Sequence, residues 1–158
     1  MEDEIRLDRL TEQNWPLTMA WRSNPEIYQG FYQQTKPLAW GEHISWLKGR
    51  NKDWRNFLVI YRESWEDLLR PIGVVTIGQL DHWSPEIGYY IGEVSLWGRG
   101  LGKRAVQLGL DYLESIGKEY VHTTILDTNE RSVSLIRSLG FRLLGNAREG
   151  ESWYHKEL

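Results

Sequence analysis

Between Glu86 and Leu126 the chain changes its hydrophobic period twice, and this constrains the fold more than any other feature. Residues 86–92, Glu-Ile-Gly-Tyr-Tyr-Ile-Gly, follow a Ser84-Pro85 breaker and read as a strand rich in β-branched and aromatic side chains. From Leu101 to Ile116 the spacing is helical, with Ala105, Leu108, Tyr112, Leu113 and Ile116 near one face and Gly117 as a C-terminal cap. Tyr120 to Leu126 alternates again, with Val121, Thr123 and Ile125 on one side. A strand, a helix and a strand of these lengths make a βαβ crossover, which places residues 86–92 and 120–126 parallel in one sheet.

The flanking sequence supplies the rest of that sheet. Ile5 and Leu7 alternate as a short strand, Asn14 caps a helix running to Trp21, and Asn24-Pro25 opens a second short helix. Ala39 to Lys48 places Ile44 and Leu47 on one helical face. The apolar runs Phe57 to Tyr61 and Ile72 to Leu80 are too short for helices and read as central strands, joined as a hairpin through the charged turn 63–67. Beyond Leu126, one of Asp127, Thr128 and Asn129 caps a helix carrying Val133, Ile136 and Leu139, which Gly140 stops. Phe141 to Leu144 and Ser152 to Lys156 finish as strands around Glu149-Gly150. The expected class is α+β: a central mixed, mostly antiparallel sheet of about six or seven strands with about four or five helices. No repeat or linker divides the chain, so residues 1–158 are expected to form one domain.

Composition removes whole classes of function. Apolar residues make up 41% and charged residues 26%, enough for a packed core. The net charge of −3 lacks the basic field of a nucleic-acid binder. There is no cysteine, hence no disulfide, thiolate nucleophile or Cys-type zinc site. No run approaches the roughly 20 apolar residues that cross a bilayer. The expectation is a cytoplasmic protein, monomeric or homodimeric, with neither nucleic acid nor membrane as partner and with no metal. The aromatic content is high, with nine Trp, eight Tyr and three Phe, and such flat side chains suit a ligand cleft as well as a core.

The segment Trp97-Gly98-Arg99-Gly100-Leu101-Gly102-Lys103-Arg104 interleaves three glycines with three cations where a strand gives way to a helix. Glycines let backbone N–H groups converge on an anion, a helix N-terminus adds partial positive charge, and Arg99, Lys103 or Arg104 can neutralise the remainder. The pattern points to phosphate. A Walker P-loop would need Gly at position 97 and Ser or Thr at position 104, where Trp97 and Arg104 stand. A dinucleotide fingerprint would need Gly in place of Lys103 and a longer parallel sheet to follow.

Taken with its surroundings, the loop resembles that of the GNAT superfamily of N-acetyltransferases, whose acetyl-CoA motif runs Arg/Gln-x-x-Gly-x-Gly/Ala from a strand into a helix. Gly100 and Gly102 occupy the two glycine places, and Trp97 stands at the first position. Residues 86–92 are similar to the family's fourth strand, while Asn129-x-x-Ser132 and Leu139-Gly140-Phe141 are similar to its helix and turn after the fifth. Trp-Gly-Arg-Gly is similar to the branch containing ribosomal-protein alanine acetyltransferases. Trp21-Arg22-Ser23-Asn24-Pro25 with Trp40-x-x-His43 resembles acetyltransferases of nucleotide-linked amino sugars.

The resemblance implies acetyl transfer from acetyl-CoA, as co-substrate, directly to an amine. The pantetheine would lie where the two parallel strands splay apart. The diphosphate would rest on Arg99, Gly100, Leu101, Gly102, Lys103 and Arg104, with Asn129 facing the cofactor and a backbone N–H near Ile91 or Gly92 polarising the thioester carbonyl. A lysine-like amine costs roughly 4.6 kcal/mol to deprotonate at pH 7, whereas an α-amine costs only about 1 kcal/mol, so the acceptor decides how strong a base is needed. Glu86 is the candidate base; His43 and His122 are also weighed, each with packing as its simpler explanation. The family's thiolate-protonating Tyr is replaced by Ile136, which shifts that role to solvent or to another phenol, Tyr90 ahead of Tyr154. Trp21, Phe31, Tyr32, Trp40 and Trp46 fall where the family forms its acceptor lip and favour a small ringed amine. Three rivals are an N-terminal protein acetyltransferase, a non-catalytic acyl-CoA-binding module and a nucleotide-binding oxidoreductase.

Overall fold

The computed structural model describes residues 2–31, 34–37, 39–49 and 53–158, and of residues 46–49 only the backbone. Tyr32 and the side chains of Trp46 and Leu47 therefore lie outside the described residues. In chain order the elements are β1 (Glu4–Arg9), α1 (Trp15–Arg22), α2 (Pro25–Tyr28), α3 (Trp40–Gly49), β2 (Arg55–Arg62), β3 (Arg70–Gly78) and β4 (Glu86–Ile91). They continue as α4 (Leu101–Ser115), β5 (Tyr120–Leu126), α5 (Glu130–Ser138), β6 (Arg142–Arg148) and β7 (Glu151–Glu157). One seven-stranded sheet runs β1-β2-β3-β4-β5-β7-β6, antiparallel throughout except for the β4–β5 pair. This is the mixed α+β architecture with a single parallel pair that the sequence implies.

Burial explains which strands read clearly. Phe57, Val59 and Tyr61 of β2 join a core with Ile72, Val75, Ile77, Ile87 and Ile91 under α4, while Leu58, Ile60 and Val74 pack on the other face against Trp21 of α1. A strand covered on both faces shows a continuous apolar run, as β2 and β3 do. In β5 only Val121, Thr123 and Ile125 are buried, so its sequence alternates.

Two expectations need correction. The buried face of α4 is Leu101, Ala105, Val106, Gly109, Leu110 and Leu113, and Ile116 lies beyond the helix end with 44% of its surface exposed. Ile116 is the C-cap, already out of helical geometry (φ −99°, ψ 11°), and Gly117 at φ +85° turns the chain away directly after it. The last hairpin is longer than its apolar residues suggest, because β6 and β7 pair from Arg142 opposite His155 to Arg148 opposite Glu151. Phe141 is buried just before β6 rather than within it.

Candidate active site

β4 and β5 run side by side only at their beginnings. Glu86 opposite His122 is their one registered pair, closed by a hydrogen bond from the His122 N–H to the Pro85 carbonyl (2.9 Å). One residue further on, the Thr123 hydroxyl donates to the Ile87 carbonyl (2.7 Å), and beyond it the strands part. Residues 88–91 and 123–125 then line opposite walls of a cavity of about 940 Å³, within the size range of small-molecule and cofactor sites. The cavity extends from the start of α4, past the start of α5, to Ile27, Gly30 and Phe31 at the end of α2.

The parity of β4 decides which backbone groups face this split. The Gly92 N–H donates to the Ile72 carbonyl of β3 (2.7 Å), so the candidate Gly92 amide is spent inside the sheet. Antiparallel pairing alternates direction, which turns the main chain of Ile87, Tyr89 and Ile91 toward β5. The carbonyls of Ile87 and Ile91 follow that direction, accepting from Thr123 and from the Trp97 indole N–H (2.9 Å). Ile91 is therefore the residue of the two whose N–H points into the split. Gly92 has a packing role instead: a Cβ there would lie 2.2 Å from the Trp21 ring.

At the other end, Gly98 (φ +80°) and Gly100 (φ +77°) make the turn into α4, with Gly100 as its N-cap. The first helical bond runs from the Arg104 N–H to the Gly100 carbonyl (3.2 Å), so the N–H groups of Leu101, Gly102 and Lys103 precede the ladder. All three residues line the cavity. A Cβ on Gly102 would stand 3.2 Å from both the Tyr89 ring and Leu135, so glycine keeps this corner open.

The three cations of the loop separate in space. Lys103 lines the cavity, whereas Arg99 pairs with Glu63 (Nη1–Oε1 2.5 Å, Nη2–Oε2 2.9 Å) and Arg104 with Asp3 (2.8 and 3.1 Å). Neither Arg99 nor Arg104 is among the lining residues. The hydrogen bond from Arg99 holds the Glu63 carboxyl below its usual range, and Arg104 does the same for Asp3. The second lining cation is Arg131, whose guanidinium lies 4.5 Å over the Trp97 ring. Sequence reading missed Arg131, although a signal exists: it is a cation in the first turn of α5, where the helix dipole favours acids.

The remaining candidates divide clearly. Asn129 caps α5 by accepting from the Ser132 N–H (3.3 Å), and a Cβ on Gly30 would sit 3.1 Å from its Nδ2. Tyr90 lines the cavity with Trp21 and Phe31 edge-on against it, and burial pushes its phenol above the usual range. Tyr89 also lines the cavity, bonded to the Ser132 hydroxyl (3.0 Å) and likewise raised by burial. Glu86 stands at the closed end, outside the lining. His43 is buried against the Thr18 hydroxyl (2.8 Å), with burial and then Arg22 lowering its pKa. His122 bonds the Ser84 carbonyl (2.8 Å) and stacks on Trp153, and Tyr154 packs in the core under Arg137. These three pack outside the cavity lining, and Trp40, half-exposed at the start of α3, is not among the lining residues either.

Amides free at a helix start, two lining cations and a long split between strands fit a phosphorylated ligand with an extended arm, as coenzyme A is. Residues 4–142 match the family model described as an acetyltransferase (GNAT) domain. An uncharacterized protein of Methanocaldococcus jannaschii is 41% identical over 159 residues, covering 99% of this chain and 32% of its own length, so the chain spans about a third of that relative. A domain crystal structure from the same organism superposes with a TM-score of 0.94 at 40% identity, covering 99% of this chain and 100% of that one. The spermidine N-acetyltransferase of Vibrio cholerae, solved with CoA and spermine, shares the fold with a TM-score of 0.80 at 16% identity, covering 97% and 95% of the two chains. The match over residues 4–142, on a sheet that opens at its one parallel pair, shows that this chain belongs to the GNAT acetyltransferase family.

Proposed function

We propose that the chain is an acetyl-CoA-dependent N-acetyltransferase acting on the primary amine of a small molecule, with a nucleotide-linked amino sugar as the favoured acceptor. The observation that carries this reading is the continuity of one cavity from the amide cluster of α4, through the β4–β5 split, to the aromatic end at Phe31 and Tyr90. Bound acetyl-CoA supplies an acyl thioester open to attack by an amine. The N–H groups of Gly100, Leu101, Gly102 and Lys103 cradle its diphosphate, with charge supplied by Lys103 and Arg131 and a further donor by Asn129 Nδ2. Arg99 and Arg104, whose side chains pair with Glu63 and Asp3, flank this cradle without donating to it.

The Ile91 N–H donates to a carbonyl oxygen lodged in the split. Glu86, on the same strand face as Gly88 and Tyr90, takes the proton of the acceptor ammonium through water. Tyr90 keeps its own proton, because burial raises its pKa, and acts toward the departing sulfur as a hydrogen-bond donor, while solvent supplies the proton that turns the released thiolate into thiol. Phe31 and the Tyr90 ring offer flat surfaces to a sugar or base.

Thiol release from acetyl-CoA, followed across nucleotide-linked amino sugars, N-terminal peptides, polyamines and aminoglycosides, tests the reading. The expected result is release that requires an amine, with the highest kcat/KM for a nucleotide-linked amino sugar. Preference for peptides would assign the chain to protein N-termini. Binding without release on any amine would make it an acyl-CoA-binding module.

A further inference from the structure

We propose that Glu63, 36 residues away from Arg99 in sequence, is a positioning residue that fixes the cofactor loop, an inference that rests on the acetyl-CoA reading of the loop. Glu63 follows the last residue of β2, and its side chain is only 5% exposed. Both of its oxygens bond the Arg99 guanidinium, the planar two-pronged geometry that fixes orientation as well as distance. The Tyr61 hydroxyl completes the seat. It lies 3.1 Å from Glu63 Oε2 and 3.2 Å from Asp3 Oδ2, sharing its proton between them, and accepts from Arg99 Nη2 at 3.3 Å.

The loop needs such an external anchor. Arg99 is flanked by Gly98 and Gly100, both left-handed, and a Cβ built on either would touch nothing within 4 Å. Trp97 and Leu101 pack the two ends of the turn into the core, but between them the glycines carry no side chain to fix the backbone, and glycine alone samples many conformations. The side chain between them is tied to the sheet instead, so the amides that follow are aligned before a ligand arrives. Preorganisation of this kind raises affinity by removing an ordering cost from binding.

The same contact admits an opposite role, in which Arg99 is a phosphate ligand held back by Glu63, and the two differ in sign. If Glu63 positions the loop, Glu63→Gln raises the KM and Kd for acetyl-CoA about tenfold while kcat and the amine KM stay within about twofold. Arg99→Gln has a similar effect, and the double variant is no worse than either alone, because both break one link. If Glu63 restrains a ligand, Glu63→Gln tightens acetyl-CoA binding. An unchanged or lower KM in Glu63→Gln, or additive effects in the double variant, would overturn the proposal.

Arg99→Met, at a half-exposed position, covers the case in which Glu63→Gln does not fold. It should weaken acetyl-CoA binding while leaving the dependence of Kd on salt unchanged, since no phosphate contact is lost; unchanged binding or a shallower salt slope would contradict the proposal. Calorimetry of the unaltered protein separates the two levels. Failure to bind acetyl-CoA removes both the function and this inference, whereas binding that Glu63→Gln leaves intact removes the inference alone.

Discussion

Thr123 donates its buried hydroxyl to the Ile87 carbonyl at the point where β4 and β5 stop pairing. A side chain thus replaces the next rung of the ladder and sets where the split begins. Thr123→Val keeps the shape but leaves a carbonyl unpaired in the interior, which should cost about 1–3 kcal/mol. Thermal unfolding should show a Tm several degrees lower, with Thr123→Ser close to the unaltered protein. Equal Tm values for the valine and serine variants would show that the rung is not formed.

Gly100→Asp should abolish acetyl-CoA binding while Gly100→Asn only weakens it. Both residues tolerate the left-handed conformation at φ +77°, and the position has open space, so the two variants fold alike. They differ in one negative charge beside a diphosphate. Equal Kd values for the pair would remove the anion from this loop.

Glu86→Gln should lower kcat strongly at a pH below the acceptor's pKa and much less above it, where the amine is already neutral. The expected pattern is a ratio of kcat values between the two proteins that shrinks toward one as pH rises. A constant ratio across the profile would exclude Glu86 as the proton acceptor.

Tyr90 and Tyr89 both hold their protons more tightly in the folded chain than the ordinary phenol pKa of about 10. The unfolded chain therefore releases these protons first as pH rises, and the two phenols' contribution to folding stability, level below about pH 10, falls above it. Tyr90→Phe should soften that alkaline decline and remove one late step from the phenolate absorbance titration. The idea fails if the variant titrates identically.

The fold was legible because burial writes itself into pattern. β2 and β3, covered on both faces, appear as unbroken apolar runs, and the change of period across 86–126 gives the crossover. Site details that depend on non-local pairing were hidden. Whether Ile91 or Gly92 faces the split turns on the register with β3, because the Gly92 N–H is taken by Ile72. Arg99 and Arg104 look like phosphate ligands until Glu63 and Asp3, 36 and 101 residues away, are brought beside them. Arg131 lay outside the glycine motif and entered the cavity only through the packing of α5 over Trp97.

A crystal structure of the chain with acetyl-CoA tests the central claim most directly. The diphosphate oxygens should lie about 2.7–3.2 Å from the main-chain nitrogens of residues 100–103, with the pantetheine arm running between residues 88–91 and 123–125. Acetyl-CoA bound elsewhere on the protein, or with its diphosphate on the side chains of Arg99 and Arg104 instead, would contradict the account.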